Sequence, residues 1–142
     1  MLACSHEPQD VLPWADKIIV LKDGQIIQQG NPQTIYTDPV NEYVAALFGS
    51  YNLVNESHLA IFSNIERIEK NVQNVILRPE HFSIVSSTEN AAKGVVKKID
   101  FWGNHFKVNI VFEHLNLIVN TYQINFSPGD EVFVKYILGK KD

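Results

Sequence analysis

His6 is the residue of this chain whose type and neighbours are best suited to chemistry. The carboxylates of Glu7, Asp10 and Asp16 follow it within one short stretch. An imidazole can donate a hydrogen bond to a phosphate oxygen and can respond to a nearby base, so its chemistry is suited to contact with a phosphate. The alternative is an exposed histidine near the start of the chain, with Asp10 and Asp16 serving as helix caps or surface charges.

A second requirement of phosphate chemistry is missing from the sequence. An ATPase of the P-loop class needs a glycine-rich loop ending in Gly-Lys-Ser or Gly-Lys-Thr, whose amides and lysine hold the phosphates. No such string occurs in the 142 residues. The chain alone therefore has no predicted site for a nucleotide cofactor, and we expect it to be the C-terminal portion of a longer polypeptide.

The composition is that of an ordinary globular protein, with 45% hydrophobic and 20% charged residues. Residues 1–49 carry six acidic side chains against two lysines, whereas residues 50–142 carry ten charges of each sign. Neither part is basic, so nucleic acid is not an expected partner. The single cysteine, Cys4, excludes an internal disulfide and fits a reducing compartment. No apolar stretch approaches the roughly 18 residues of a membrane span and no signal peptide is visible, so we expect a cytoplasmic location.

The first part of the chain has the turn and cap signals of an α/β domain. Apolar runs flank Asp23-Gly24, a strong hairpin signal, and predict a hairpin over residues 17–29. Asn31-Pro32 and Asp38-Pro39 each predict the start of a helix, with Gly49 as the stop of the second. Because such a hairpin normally belongs to a larger sheet, we expect its apolar faces to be exposed, at Ile18, Val20 and Ile26.

The second part of the chain alternates apolar and polar residues with a period of two, which predicts antiparallel strands. Turn residues at Gly103-Asn104 and Pro128-Gly129-Asp130 separate several of the runs. About six short strands in about 90 residues must close or sandwich to cover their edges, which favours an OB-like antiparallel β-barrel. The predicted strands are 59–62, 72–77, 95–101, 106–113, 115–122 and 131–138.

The first part also resembles the switch-histidine segment of ABC transporter ATP-binding subunits. The matching positions are His6, Glu7, Asp10, Ala15, Asp16 and Gly24. The resemblance implies that residues 1–49 are a C-terminal α/β remnant of an ABC nucleotide-binding domain, and that His6 is the switch histidine, which hydrogen-bonds the γ-phosphate of ATP in the intact subunit. Pro13 departs from the pattern, because it cannot bond to the Gln9 carbonyl and predicts a short or kinked helix.

The second part resembles a transport-associated OB (TOBE) domain. The resemblance rests on the Arg-Pro-Glu-His string within residues 76–81, on Gly94-Val95-Val96 and on residues 126–132. It implies an accessory domain over residues 50–142. Arg78 and Glu80 are candidates for a contact with a ligand or another domain, and the alternative is a salt-bridged strand end after Pro79.

Two other groups of residues have plainer interpretations. Residues 101–106 gather aromatic side chains around a turn, and OB folds use such aromatics to stack on bases. Without a net positive charge nearby, packing of a hairpin is the favoured interpretation. His81, His105 and His114 are not at metal-ligand spacing, so no metal site is expected.

The two resemblances together predict a mainly β chain that is part of the ATP-hydrolysing subunit of an ABC importer. The intact subunit would use ATP and Mg²⁺ to drive solute uptake, and the chain alone is not expected to be catalytic. The expected partners are a second ATP-binding subunit, which makes a dimer, and transmembrane permease subunits, which hold the protein at the inner face of the membrane. The alternative is a free-standing OB-fold binding module for nucleic acid or a small oxyanion.

Overall fold

The computed structural model describes residues 8–55, 58, 62, 74–86 and 91–137. The chain divides into two compact units, unit 1 and unit 2, whose boundary along the sequence lies between Tyr51 and Asn52. The protein is mainly β, as predicted. Within the described residues, no helix has both the length and the apolar character needed to cross a membrane.

Unit 1 contains the predicted hairpin. Strands β1 (Ile18–Lys22) and β2 (Gln25–Gly30) pair antiparallel around Asp23 and Gly24. These two turn residues have φ values of 52° and 78°. Positive φ at both central positions is what a type I′ turn requires, and this turn has the twist that suits a two-residue hairpin.

Two short helices follow the hairpin, α1 (Pro32–Thr37) and α2 (Glu42–Leu47). The predicted cap of α1 is confirmed, because Asn31 Oδ1 accepts a hydrogen bond from Thr34 N at 2.8 Å. The predicted start of α2 at Asp38 is wrong. Asp38 N instead donates to Thr34 O at 2.8 Å and closes the last turn of α1. The cap of α2 is Asn41, whose Oδ1 accepts from Val44 N at 3.0 Å.

The two faces of the hairpin have different environments. Ile18 and Val20 are buried in a core that also contains Ile35, Val44 and Phe48, so the expectation that both would be exposed is wrong. Residues of the two helices supply the apolar cover that the sequence argument assigned to a larger sheet. The other face remains exposed, as expected for Ile26, and carries Ile19, Leu21 and Ile26.

Unit 2 is built from two antiparallel sheets. The smaller sheet pairs β3 (Asn52–Asn55) with β4 (Asn74–Leu77), and a 3₁₀ helix, η2 (Pro79–His81), follows. The larger sheet has the strand order β5-β9-β6-β7-β8. Its strands are β5 (Phe82–Val85), β6 (Ala92–Phe101), β7 (Phe106–Phe112), β8 (Leu115–Thr121) and β9 (Glu131–Tyr136).

The five-stranded antiparallel sheet is consistent with the predicted OB-like fold, but it does not close into a barrel. Its edge strands β5 and β8 approach each other without pairing in the described part of the chain. Predicted strands 106–113 and 115–122 correspond to β7 and β8, each of which ends one residue earlier. The predicted strand 59–62 lies almost entirely outside the described residues.

Alternation along the strands places one side chain in two in the core of unit 2. Val108 and Ile110 on β7, and Leu117 and Val119 on β8, have no exposed surface. Phe62 packs against Phe82 and Phe112 with ring centroids 5.3 and 5.8 Å apart. The core thus lies on the inner face of the larger sheet, as period-two patterning requires.

Candidate functional site

The predicted switch histidine, His6, and its neighbour Glu7 lie outside the described residues. The segment that follows them starts with a 3₁₀ helix, η1 (Pro8–Val11), and Asp10 is exposed on it. Leu12 N donates to Gln9 O at 3.3 Å, and this is the acceptor that Pro13 cannot use. The helix is therefore short, as predicted from the proline, and the role of His6 stays a prediction.

Arg78 and Glu80, the candidate contact residues, lie in different environments at the start of η2. Arg78 is the residue before the helix and is 1% exposed, whereas Glu80 is exposed. Only Glu80 presents its side chain to solvent, so a partner could reach that residue without rearrangement of unit 2. Contact with a ligand or another domain through this pair stays a prediction.

His81, the last residue of η2, has an unusual ring environment for a histidine near the surface. Its Nδ1 atom is buried and has no hydrogen-bond partner in the described part of the chain. Burial lowers the pKa of His81 below its ordinary value of 6.5, the Glu80 carboxylate opposes that shift, and the Arg78 guanidinium adds to it. A neutral ring is therefore favoured in the folded state.

Asn52 is a structurally important residue that the sequence argument missed. Its side-chain amide donates to Ile118 O at 2.8 Å, and its Oδ1 accepts from Ile118 N at 2.7 Å. Asn52 is 3% exposed, and Ile118 lies on β8, the last strand of the larger sheet. One side chain thus satisfies a donor and an acceptor at an edge that would otherwise be unpaired. The only sequence signal is an asparagine beside an apolar run.

The aromatic turn between β6 and β7 is only partly packed. Phe101 contacts Phe106 with ring centroids 5.1 Å apart, and Phe106 packs against the core of unit 2. Phe101 and Trp102 remain exposed, and Lys107 Nζ lies 4.3 Å from the Trp102 ring centroid. A cation over one face of the indole is a stabilising arrangement within the hairpin and needs no ligand.

A cleft of about 590 Å³ in unit 2 has acidic and aromatic walls. Asp130 Oδ2 accepts from Ser127 N at 2.8 Å, and Glu131 lies 3.1 Å from Lys93 Nζ. Both carboxylates therefore have partners within the unit. Among the described residues, no group of three or more histidine, cysteine or acidic side chains is arranged to hold a metal ion.

Comparison with known proteins finds similarity to both parts of the chain. Residues 75–136 match the TOBE domain family. The spermidine/putrescine import ATP-binding protein PotA of Acetivibrio thermocellus is 27% identical over 92% of this chain and 40% of its own length. The PotA protein of the Aster yellows witches'-broom phytoplasma is 29% identical over 91% of this chain and 36% of its own length. The PotA protein of Clostridium novyi is 32% identical over 73% of this chain and 33% of its own length.

The chain spans about two fifths of the length of the first of these relatives, and the region of similarity is their C-terminal part. Similarity over about nine tenths of the chain includes unit 1 as well as the TOBE match in unit 2. The chain is therefore similar over most of its length to the C-terminal part of import ATP-binding proteins, and residues 75–136 match the TOBE domain family.

Proposed function

We propose that this chain is the C-terminal part of the ATP-binding subunit of an ABC importer that takes up a small organic polycation. The observation that carries the proposal is the similarity to import ATP-binding proteins over both units, in the same order along the chain. A free-standing OB-fold module accounts for unit 2 but leaves unit 1 without a role. The charge balance of residues 50–142 also gives no electrostatic attraction for nucleic acid.

In this proposal, unit 1 contributes the switch histidine to a nucleotide site that is completed elsewhere. His6 donates a hydrogen bond to the γ-phosphate of ATP, and the loop and carboxylate that hold ATP and Mg²⁺ lie on the remaining part of the subunit. The hairpin and helices of unit 1 anchor the segment that carries His6. The hydrolysis cycle is thereby coupled to closure of two ATP-binding subunits.

Unit 2 serves as the accessory domain of the same subunit. Its expected partners are a second ATP-binding subunit and the transmembrane permease, which holds the assembly at the inner face of the membrane. The names of the relatives support spermidine or putrescine as the class of solute. Both are amines that are positively charged at neutral pH, so permease and solute-binding partners with acidic sites are expected.

A chimeric importer tests the proposal. This chain replaces the matching C-terminal region of the Acetivibrio thermocellus relative, and ATP hydrolysis and labelled spermidine uptake are measured with the cognate permease in vesicles. We expect the chimera to support both activities, His6→Ala to abolish both, and the exposed-histidine control His114→Asn to retain both. Assembly is checked by co-purification with the permease. An assembled chimera whose activity is unchanged by His6→Ala would refute the role of His6.

The isolated chain provides a complementary prediction. Because the sequence has no phosphate-binding loop, calorimetry should detect no binding of MgATP at micromolar concentrations. Measurable binding would contradict the division of the nucleotide site proposed above. Salt-dependent binding of an oligonucleotide would instead support the free-standing module.

A further inference from the structure

The ring of His81 occupies a position that disfavours its protonated, positively charged form. Nδ1 is buried and has no hydrogen-bond partner among the described residues. In the neutral ring with its proton on Nε2, this atom is an acceptor, and leaving it unbonded is tolerable. Protonation converts Nδ1 into a charged donor, for which an unmet hydrogen bond is considerably more costly.

The charges around the ring do not offset this cost. Arg78 and Glu80, which both precede His81 in the chain, act on its pKa in opposite directions, and Arg78 is itself buried. The strand against which η2 packs, β8, has no titratable side chain between Leu115 and Thr121. On β9, the titratable residue next to Ile137, the hydrogen-bond partner of His81, is Tyr136. The ring of Tyr136 packs on Phe82, with ring centroids 5.5 Å apart.

The backbone of His81 joins η2 to the paired strands β5 and β9. His81 N donates to Arg78 O at 3.0 Å and closes η2, while Ile137 N donates to His81 O at 2.7 Å just beyond the end of β9. Helix η2 packs on β8 and leads directly into β5, the opposite edge strand. A displacement of His81 therefore disturbs the only part of the described chain that bridges β8 and β5 through a helix.

We propose that His81 is an acid-sensitive latch of unit 2. When its ring takes up a proton, η2 loosens from β8, the Ile137 to His81 hydrogen bond breaks, and the β5 and β8 edges separate. The neutral ring restores the closed arrangement. Unit 2 thus changes its local structure with pH independently of nucleotide binding.

The direction of the effect follows from linkage. The pKa of His81 is lowered in the folded state, mainly by burial, so the folded protein binds this proton less readily than the unfolded chain does. The stabilisation from the neutral ring is complete above the ordinary value of 6.5 and is lost as the pH falls through the lowered pKa. The latch opens on acidification.

Amide hydrogen exchange across this pH range tests the latch on the full chain. The protection factor of the Ile137 amide, corrected for intrinsic exchange, should fall on acidification by up to about tenfold per pH unit, the limit for uptake of one proton. Val96 N, which donates to Asp130 O at 2.9 Å in the same sheet, is the internal reference and should change less. An Ile137 amide whose protection does not change with pH would overturn the proposal.

Variants separate His81 from other titrating groups. His81→Gln should remove the pH dependence of protection at the Ile137 amide. The control is His114→Asn, which should retain that pH dependence. His114 is exposed and has a positive φ, a conformation that asparagine tolerates. Equal pH dependence in His81→Gln and the unmodified chain would also overturn the latch. If His81→Gln does not fold, the NMR titration of the His81 ring in the unmodified chain decides. Its midpoint must coincide with the midpoint of the loss of Ile137 protection, and different midpoints reject the proposal.

Discussion

Asn52 forms a point of attachment between the smaller sheet of unit 2 and the open edge of the larger sheet. Its two hydrogen bonds to Ile118 satisfy a backbone donor and a backbone acceptor on β8. Asn52→Ala leaves both unmet, so we expect unit 2 to lose about 2–3 kcal/mol of unfolding free energy. Urea denaturation followed by tryptophan fluorescence measures the loss.

A matched substitution on β8 is the control for Asn52. Asn116 is exposed on the same strand, and Asn116→Ala should change stability by less than about 0.5 kcal/mol. Asn52→Asp keeps the acceptor for Ile118 N but places a carboxylate against Ile118 O, so it should destabilise the unit at least as much as alanine. Equal stability of the alanine variants at both positions would contradict the proposed attachment.

Gly94 is constrained by the side chains that face it across the sheet. A Cβ at this position would lie 2.6 Å from Ile110 Cγ2 and 2.9 Å from Phe112 Cε1. We expect Gly94→Ala to cost about 1–3 kcal/mol through overpacking, as measured by thermal or urea unfolding. Combined with Ile110→Ala, which removes the closest atom, it should cost less than the sum of the two single changes. Strict additivity would show that the contact is not the cause.

Neither Asn52 nor Gly94 could be assigned these roles from the sequence. Asn52 and Ile118 are 66 residues apart, and no local rule joins an asparagine to a distant strand edge. In the sequence, Gly94 is distinctive only as part of Gly94-Val95-Val96, which resembles a TOBE domain. Its closeness to Ile110 depends on the bulge near Lys97 and on the register of β6 with β7. Both residues depend on three-dimensional neighbours, which local patterning does not contain.

Gln28 links strand β2 to the loop between α1 and α2 of unit 1 through two side-chain hydrogen bonds, as Asn52 links two sheets in unit 2. From β2 its Nε2 donates to Asp38 O at 3.0 Å, and its Oε1 accepts from Val40 N at 2.9 Å. The side chain thus holds the segment between α1 and α2. Because these bonds are solvent-exposed, water can replace them in part, and we expect Gln28→Ala to cost about 1 kcal/mol.

Hydrogen exchange at the Val40 amide reports this link directly. Its protection should decrease in Gln28→Ala, because the acceptor is removed, and should be retained in Gln29→Ala, where the neighbouring exposed residue is changed. Unchanged protection at Val40 in the first variant would mean that the loop between the helices is held by other contacts.

Elements whose signals lie within a few residues of each other were predicted well. Elements whose boundary residues suit two different structures were not. The hairpin turn and the Asn31 cap follow from residues within a few positions of each other. The second helix was misplaced because Asp38 is as suitable for ending α1 as for starting another helix, and its N–H bonds to Thr34 O. Strands β3 and β5 were missed, since four residues show a period of two only weakly; β4 is equally short but ends the longer predicted run 72–77.

For the whole molecule, the order of the two parts was more informative than either part alone. Composition could exclude a disulfide but could not indicate how the hairpin faces are covered. The helices bury Ile18 and Val20, and this packing decides which apolar residues of unit 1 stay exposed. The switch histidine remains a sequence prediction, since its geometry belongs to residues outside the described part.

The exposed face of the hairpin predicts that the isolated chain self-associates. Ile19, Leu21 and Ile26 are 44%, 60% and 56% exposed, and Leu21 pairs directly with Ile26 across the two strands. A contiguous apolar face on a sheet that has two strands in the described part of the chain favours pairing with a second copy. Light scattering should give a mass above that of the monomer, and the mass should increase with protein concentration.

Charged substitutions on this face distinguish it from other exposed apolar residues. The double variant Leu21→Lys/Ile26→Lys should be monomeric, because two ammonium groups would have to be desolvated at the contact. Val40→Lys changes an apolar residue of the loop between α1 and α2 that is 59% exposed, and this variant should associate like the unmodified chain. Association that persists in the double variant would assign the contact to unit 2, as a family-like pairing of accessory domains would require. A monomer in every sample, including the unmodified chain at high concentration, would show that the exposed hairpin face is insufficient to bring two copies together.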